Sequence, residues 1–136
     1  MWLMGGRGAF KNVASKDFTF VENGQTYIKV GEVDGVELLV RKGNLSVKAP
    51  EYSHSANKVY ATLQNGQLKH LSFYDENHQQ YKTIDFMHEH GTDHVKPHVH
   101  YNMQHIKDEK GTAPSSTDFE IINKINGWLR RKWYES

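Results

Sequence analysis

Alternation of hydrophobic and polar residues predicts β-structure over the first two thirds of the chain. Short segments rich in Val, Ile, Leu, Tyr and Phe recur between polar turns, which is the pattern of half-buried strands. The Asn23-Gly24 and Asn65-Gly66 pairs each lie between two such segments, and this dipeptide favours the tight turn of a β-hairpin. The predicted strands are DFTFV, TYIKV, VELLVR, KVYATLQ, QLKHLSFY, QQYKTIDFM and HVHYNM.

The C-terminal segment follows a helical period instead. Apolar side chains recur at steps of three and four residues from Phe119 to Trp133, which places them on one helix face. Thr117 and Glu120 have the spacing of a capping box, so we expect the helix to begin there. Gly127 costs about 1 kcal/mol relative to alanine in a helix interior, so a bend or an early end is expected. The patterns together predict an α+β fold, an antiparallel meander of hairpins with a C-terminal helix packed on it.

Length and composition then narrow the class of protein. The 136 residues are enough for one domain, which we expect at 17–136, after a flexible, glycine-rich arm at 1–16. The absence of cysteine excludes disulfides and thiolate metal sites. The N-terminal apolar run is too short for a secretory signal or a membrane anchor, so we expect a cytoplasmic protein with no membrane partner. A formal net charge of +1 does not favour strong direct binding to nucleic acid.

Histidine is concentrated in one segment, 87–105, which carries six of the nine in the chain. His88 and His90 are two residues apart, as are His98 and His100, and residues two apart on a strand share a face. The seven residues between the pairs allow the chain to turn and bring the pairs together. Imidazole is a preferred ligand of Zn²⁺, so the spacing predicts a zinc site formed by these four histidines.

Other polar residues of the same region extend this predicted site. His94, His105 and Asp93 are reserve ligands, and Asp85 and Glu89 are placed to orient the ligating rings. Four protein ligands leave no coordination position for water, and closed zinc sites are structural. The pattern therefore favours a protein without catalytic activity, although it does not exclude an enzyme.

Two enzymatic alternatives use the same residues. His98 and His100 with Lys82 could act as the acid and base of a ribonuclease, since one imidazole takes a proton and another returns it. A metal-dependent hydrolase would need an open coordination position on the metal. The spacing fits known hydrolase motifs poorly, because Asn102 stands where a His-x-His-x-His motif requires its third histidine.

Two smaller features stand apart from the histidines. The basic run Arg-Arg-Lys at 130–132 is typical of a solvated helix end, where cations interact favourably with the helix dipole; a phosphate contact is the alternative. In the N-terminal arm, Trp2 and Arg7 are residue types that commonly anchor a partner protein.

Three stretches of the sequence resemble one family. GGRGA at 5–9, the segment 58–86 with its YDENH turn and its Ile-Asp pair, and PHVH at 97–100 are similar to small proteins encoded by phages and mobile elements of Firmicutes. Members begin with Gly-Gly-Arg-Gly and carry a histidine-rich loop that ends in Pro-His-x-His. The resemblance covers the N-terminus and roughly the middle third of the chain. Small phage proteins of this kind include anti-CRISPR proteins, some of which bind zinc and block a host Cas9.

The resemblance implies a phage gene product that acts inside a Gram-positive host. Combined with the predicted zinc site, it leads us to expect a zinc-binding inhibitor that binds a host defence factor stoichiometrically, namely a Cas9–guide RNA complex. The alternatives are a histidine-dependent ribonuclease toxin, a metal-dependent hydrolase, and a virion accessory protein.

Overall fold

The computed structural model describes residues 19–22, 24–43, 46–86, 97–101 and 113–135. They form a seven-stranded sheet and one helix, which confirms the predicted α+β class. The elements are β1 (Thr19–Glu22), β2 (Gln25–Val33), β3 (Val36–Arg41), β4 (Val59–Gln64), β5 (Gln67–Tyr74), β6 (Gln80–Asp85), β7 (His98–Tyr101) and α1 (Ser116–Glu135).

The strands lie in the sheet in the same order as in the sequence. Asp34-Gly35 and Asn65-Gly66, which close the β2–β3 and β4–β5 hairpins, have the positive φ angles that such tight turns need. Every pair is antiparallel except β3 and β4, which are parallel. The parallel pair interrupts the predicted antiparallel meander once. Parallel neighbours need a long crossover connection, which residues 42–58 supply.

Both faces of the sheet are buried, but with different partners. On one face, aliphatic side chains such as Leu38, Leu71 and Ile84 are fully buried in a core that includes Ile122 and Ile125 of α1. Burying such side chains is the main source of stability in a domain of this size. On the other face, tyrosines replace most of the aliphatic residues and pack against the crossover.

Three buried tyrosines hold the crossover on the sheet, and each hydroxyl bonds a backbone group of that segment. The hydroxyl of Tyr27 donates to the Lys48 carbonyl and that of Tyr74 to the Pro50 carbonyl. The Tyr60 hydroxyl accepts a hydrogen bond from the His54 amide at 2.9 Å, although all three rings are almost inaccessible to solvent. These bonds satisfy backbone groups that have no strand partner, so the crossover can be buried without loss of hydrogen bonding.

Helix α1 is capped two residues earlier than predicted. The Ser115 hydroxyl accepts from the Asp118 amide at 3.1 Å, and the Asp118 carboxylate accepts from the Ser115 amide at 3.0 Å. Asp118 also binds the Lys82 ammonium at 3.0 Å, a contact that the predicted box at Thr117 and Glu120 does not make. Burial raises the pKa of Asp118, but the bonds from Ser115 and Lys82 outweigh it and the net shift is downward.

The apolar stripe of α1 packs as predicted only in part. Ile122 and Ile125 are buried, and Trp128 and Leu129 are partly buried against the same core. Phe119, at the start of the stripe, is 41% exposed. The helix continues through the glycine at 127 to Glu135, so it does not end early.

Replacing Asp118 with alanine is expected to destabilise the fold by about 2 kcal/mol. The variant loses the cap bond that the carboxylate accepts from the Ser115 amide, and it leaves the ammonium of Lys82, which is mostly buried, without its carboxylate. Urea unfolding monitored by circular dichroism measures the change. Thr117→Ala is the matched control, because Thr117 is exposed, and its effect should stay within about 0.5 kcal/mol. A larger loss of stability in Thr117→Ala than in Asp118→Ala would instead support the cap predicted at Thr117 and Glu120.

Candidate functional site

A row of polar side chains crosses four strands on the face opposite α1. Its members are Thr62 on β4, His70 on β5, Asp85 on β6 and His98 on β7, and each is directly paired with the next. Cross-strand partners share a face, so these side chains lie next to one another. We call them the polar row.

His70 lies between its two neighbours in the polar row. Its Nδ1 is 3.1 Å from the Thr62 hydroxyl and its Nε2 is 3.9 Å from an Asp85 carboxylate oxygen. Burial lowers the pKa of His70 to about 4; the Asp85 charge opposes this shift and the Lys69 charge adds to it. The ring is therefore neutral at pH 7. A proton on Nε2 lets the ring face the carboxylate with N–H and accept a bond from the threonine hydroxyl.

His98 and His100 lie next to each other on β7, the strand at which the polar row ends. Their ring centroids are 6.4 Å apart and the rings are inclined by 30°. Both are half-buried, and they are paired with Asp85 and Thr83 respectively. The two imidazoles of the Pro-His-x-His motif therefore share one face and lie beside a carboxylate.

Lys82, the third residue of the ribonuclease alternative, is on the other face of the sheet. Its ammonium binds Asp118 and lies 4.6 Å from the centre of the Phe73 ring. The structure therefore does not bring Lys82 together with His98 and His100. The separation follows from strand parity, since Lys82 and Asp85 are three residues apart on β6.

The other predicted site residues lie outside the described part of the chain. These are Trp2, Arg7, His88, Glu89, His90, Asp93, His94 and His105. Within the residues that are described, no three His, Asp or Glu side chains are placed to hold a metal ion. A site with His98 and His100 therefore needs further ligands from the undescribed segments.

Residues 87–96 connect β6 and β7, two strands that are paired with each other. Asp85 and His98 are paired, so the connecting segment leaves β6 and enters β7 at neighbouring points, about 5 Å apart. His88 follows Asp85 by three positions in the sequence, and three residues span at most about 10 Å. This length of chain is compatible with a site that both His-x-His pairs share.

Thr62 and His70 were not among the residues predicted for this site. Neither belongs to a recognisable motif, and their pairing follows a bulge that shifts the β4–β5 register between Thr62 and Leu63. The only signal was the presence of a histidine within a predicted strand, QLKHLSFY.

Comparison with protein-family models, with curated proteins and with solved structures found no match to this chain. Among the described residues, no helix has a stretch long and apolar enough to cross a membrane.

Proposed function

We propose that this protein binds Zn²⁺ through the β6–β7 hairpin and acts by occupying a partner protein, without turning over a substrate. The observation that carries the proposal is the placement of His98 and His100 side by side on one face, at the base of a hairpin whose connection holds three more histidines.

The surroundings of these two rings favour metal binding. The two rings lie on one face with their centroids 6.4 Å apart, so both can approach one metal ion, which binds neutral imidazole. Asp85 is paired with His98 and can accept the remaining N–H of a ligating ring. His88 and His90 would complete a closed, four-ligand site, with His94, His105 and Asp93 in reserve.

The first test measures metal content in protein purified without a His-tag. Native mass spectrometry and elemental analysis should give one Zn²⁺ per chain. His98→Ala and His100→Ala should each weaken zinc affinity by more than about a hundredfold, since losing even an outer-shell contact costs ten- to a hundredfold. His54→Ala is the matched control, because His54 is exposed on the crossover, and it should bind zinc like the wild type.

Two results would contradict the zinc site. One is metal-free native protein whose melting temperature does not change when zinc is added. The other is an equal loss of zinc in His54→Ala, which would indicate adventitious binding by histidines in general.

The partner follows from the resemblance to small phage proteins. We place the action in the cytoplasm of a Gram-positive host, on a Cas9–guide RNA complex, with Trp2 and Arg7 as anchors. The net charge of +1 supports a protein partner over nucleic acid alone.

Titration into a host Cas9–guide RNA complex tests this partner. Inhibition of target cleavage should saturate near one protein per complex and weaken in Trp2→Ala, while RNA incubated with the protein alone stays intact. Unchanged cleavage at a large excess of protein would contradict the inhibitor. Loss of RNA at sub-stoichiometric protein, abolished by His98→Ala or His100→Ala, would instead indicate the ribonuclease.

A further inference from the structure

An open groove lies away from the polar row, between the β4–β5 turn and the C-terminal half of α1. Its volume is about 470 Å³, within the usual size of small-molecule sites. The apolar part of its lining comes from Leu68, Phe86 and Leu129, which belong to the core or pack against it. The side-chain amides of Asn65 and Asn126 add groups that both donate and accept hydrogen bonds.

Two arginine side chains reach the same point beside Gly127, and one of them lines this groove. Arg130 lines it, and its Nη2 is 3.9 Å from the position that a Cβ on Gly127 would occupy. The Nη1 of Arg131 is 3.7 Å from the same position. Among the side chains that the structure describes, which do not include that of Glu135, no carboxylate forms an ion pair with Arg130 or Arg131. Two like charges held this closely repel each other, so an anion bound between them would be stabilised.

The presence of glycine at position 127 also supports an anion site at these two arginines. A glycine in a helix interior costs about 1 kcal/mol relative to alanine, so its presence needs a reason. Packing against the core does not supply one, because the atoms that an added Cβ would meet belong to Arg130 and Arg131. The missing side chain keeps space open next to the two guanidinium groups.

We propose that this groove binds a phosphate monoester with a planar apolar body. The phosphate would lie on Arg130 and Arg131, whose planar groups bind phosphate oxygens in pairs. The body would lie on Leu68, Phe86 and Leu129. The amides at the rim suit a body with polar edges, such as the base of a nucleotide.

Isothermal titration in EDTA tests the groove independently of the proposed zinc site. Phenyl phosphate should bind saturably, and inorganic phosphate and phenol should each bind at least tenfold more weakly. Arg130→Gln should weaken phenyl phosphate binding at least tenfold. Lys42→Gln removes the same charge from an exposed position at the end of β3 and should leave the affinity unchanged. Adenosine monophosphate binding more tightly than phenyl phosphate would identify the body as a nucleobase; equal affinity would support phosphate monoesters in general.

Three outcomes would overturn the proposal. They are the absence of saturable binding, inorganic phosphate binding as tightly as phenyl phosphate, and Lys42→Gln weakening binding as much as Arg130→Gln. The third outcome would show that binding depends on the general positive charge of the protein and not on this groove. Arg130 is exposed, so its replacement should not unfold the protein, and a melting curve of the variant checks this.

Discussion

Replacing Gly31 with alanine is expected to destabilise the protein by about 3 kcal/mol, at the upper end of the cost of overpacking. A Cβ on Gly31 would lie 2.3 Å from Cζ2 and 2.8 Å from Cη2 of the Trp128 ring. That ring packs against the core, so it can move away only by losing contacts there. Gly31 is not among the residues with positive φ, so the cost arises from the contact and not from backbone strain.

Urea unfolding of four variants separates this contact from a general effect of removing a glycine: Gly31→Ala, Gly127→Ala, Trp128→Leu and the Gly31→Ala/Trp128→Leu double mutant. Gly127→Ala is the matched control and should stabilise the protein by about 0.5–1 kcal/mol, because its Cβ meets nothing closer than 3.7 Å. Trp128→Leu in the Gly31→Ala background should recover part of the loss, since the two positions are in contact and their effects do not add. A Gly31→Ala variant within 0.5 kcal/mol of the wild type, or a double mutant with purely additive losses, would contradict the predicted clash.

The strands and the helix were predictable because their patterns are local. Alternation and Asn-Gly turns are properties of neighbouring residues, and they located all seven strands. The helical period of apolar residues, which is also local, located the C-terminal helix. The parallel pairing of β3 and β4 was not predictable in this way. It depends on a crossover fixed by Tyr27, Tyr60 and Tyr74, which come from three different strands.

The helix cap shows the same limit on a smaller scale. Ser115-x-x-Asp118 and Thr117-x-x-Glu120 both have the spacing of a capping box, and the sequence alone does not choose between them. The distant residue Lys82 supplies the extra partner found at Asp118.

The candidate site was likewise predictable only in part. The period of two predicted that His98 and His100 share a face, because that follows from strand geometry. Their position relative to Asp85 and His70 depends on how β5, β6 and β7 align. Bulges in β4–β5 and β5–β6 change that alignment by a residue, and a shift of one residue moves a side chain to the opposite face.

His70 is expected to make stability fall as the pH is lowered from about 6.5 to about 4. Its pKa is about 4 in the folded protein, because burial disfavours the charged ring, against a usual value of 6.5. Between these values the unfolded chain binds a proton that the folded protein does not, so lowering the pH favours unfolding. The stability that is linked to the neutral His70 ring is fully present above pH 6.5. Its loss at pH 4 would reach about 3 kcal/mol at most, from 1.36 kcal/mol per pKa unit.

The charges around His70 act in opposite directions on this shift. Asp85 favours protonation, whereas Lys69 opposes it and is itself held on the crossover by the Val47 carbonyl at 2.8 Å. Thr62 accepts or donates one bond and carries no charge, so it does not offset the burial. The pKa of His70 therefore stays below its usual value despite the nearby carboxylate.

Urea unfolding at pH 7, 6, 5 and 4.5, with EDTA present throughout, isolates this effect from proton competition with a bound metal. His70→Gln should be less stable than the wild type at pH 7, because Thr62 and Asp85 lose their neighbour, yet its stability should depend much less on pH across this window. His54→Gln replaces an exposed histidine and should keep the wild-type pH dependence. A wild-type stability that is flat between pH 7 and 4.5 would show that His70 is protonated at little cost. Equal flattening in both variants would mean that the pH dependence does not come from the buried ring.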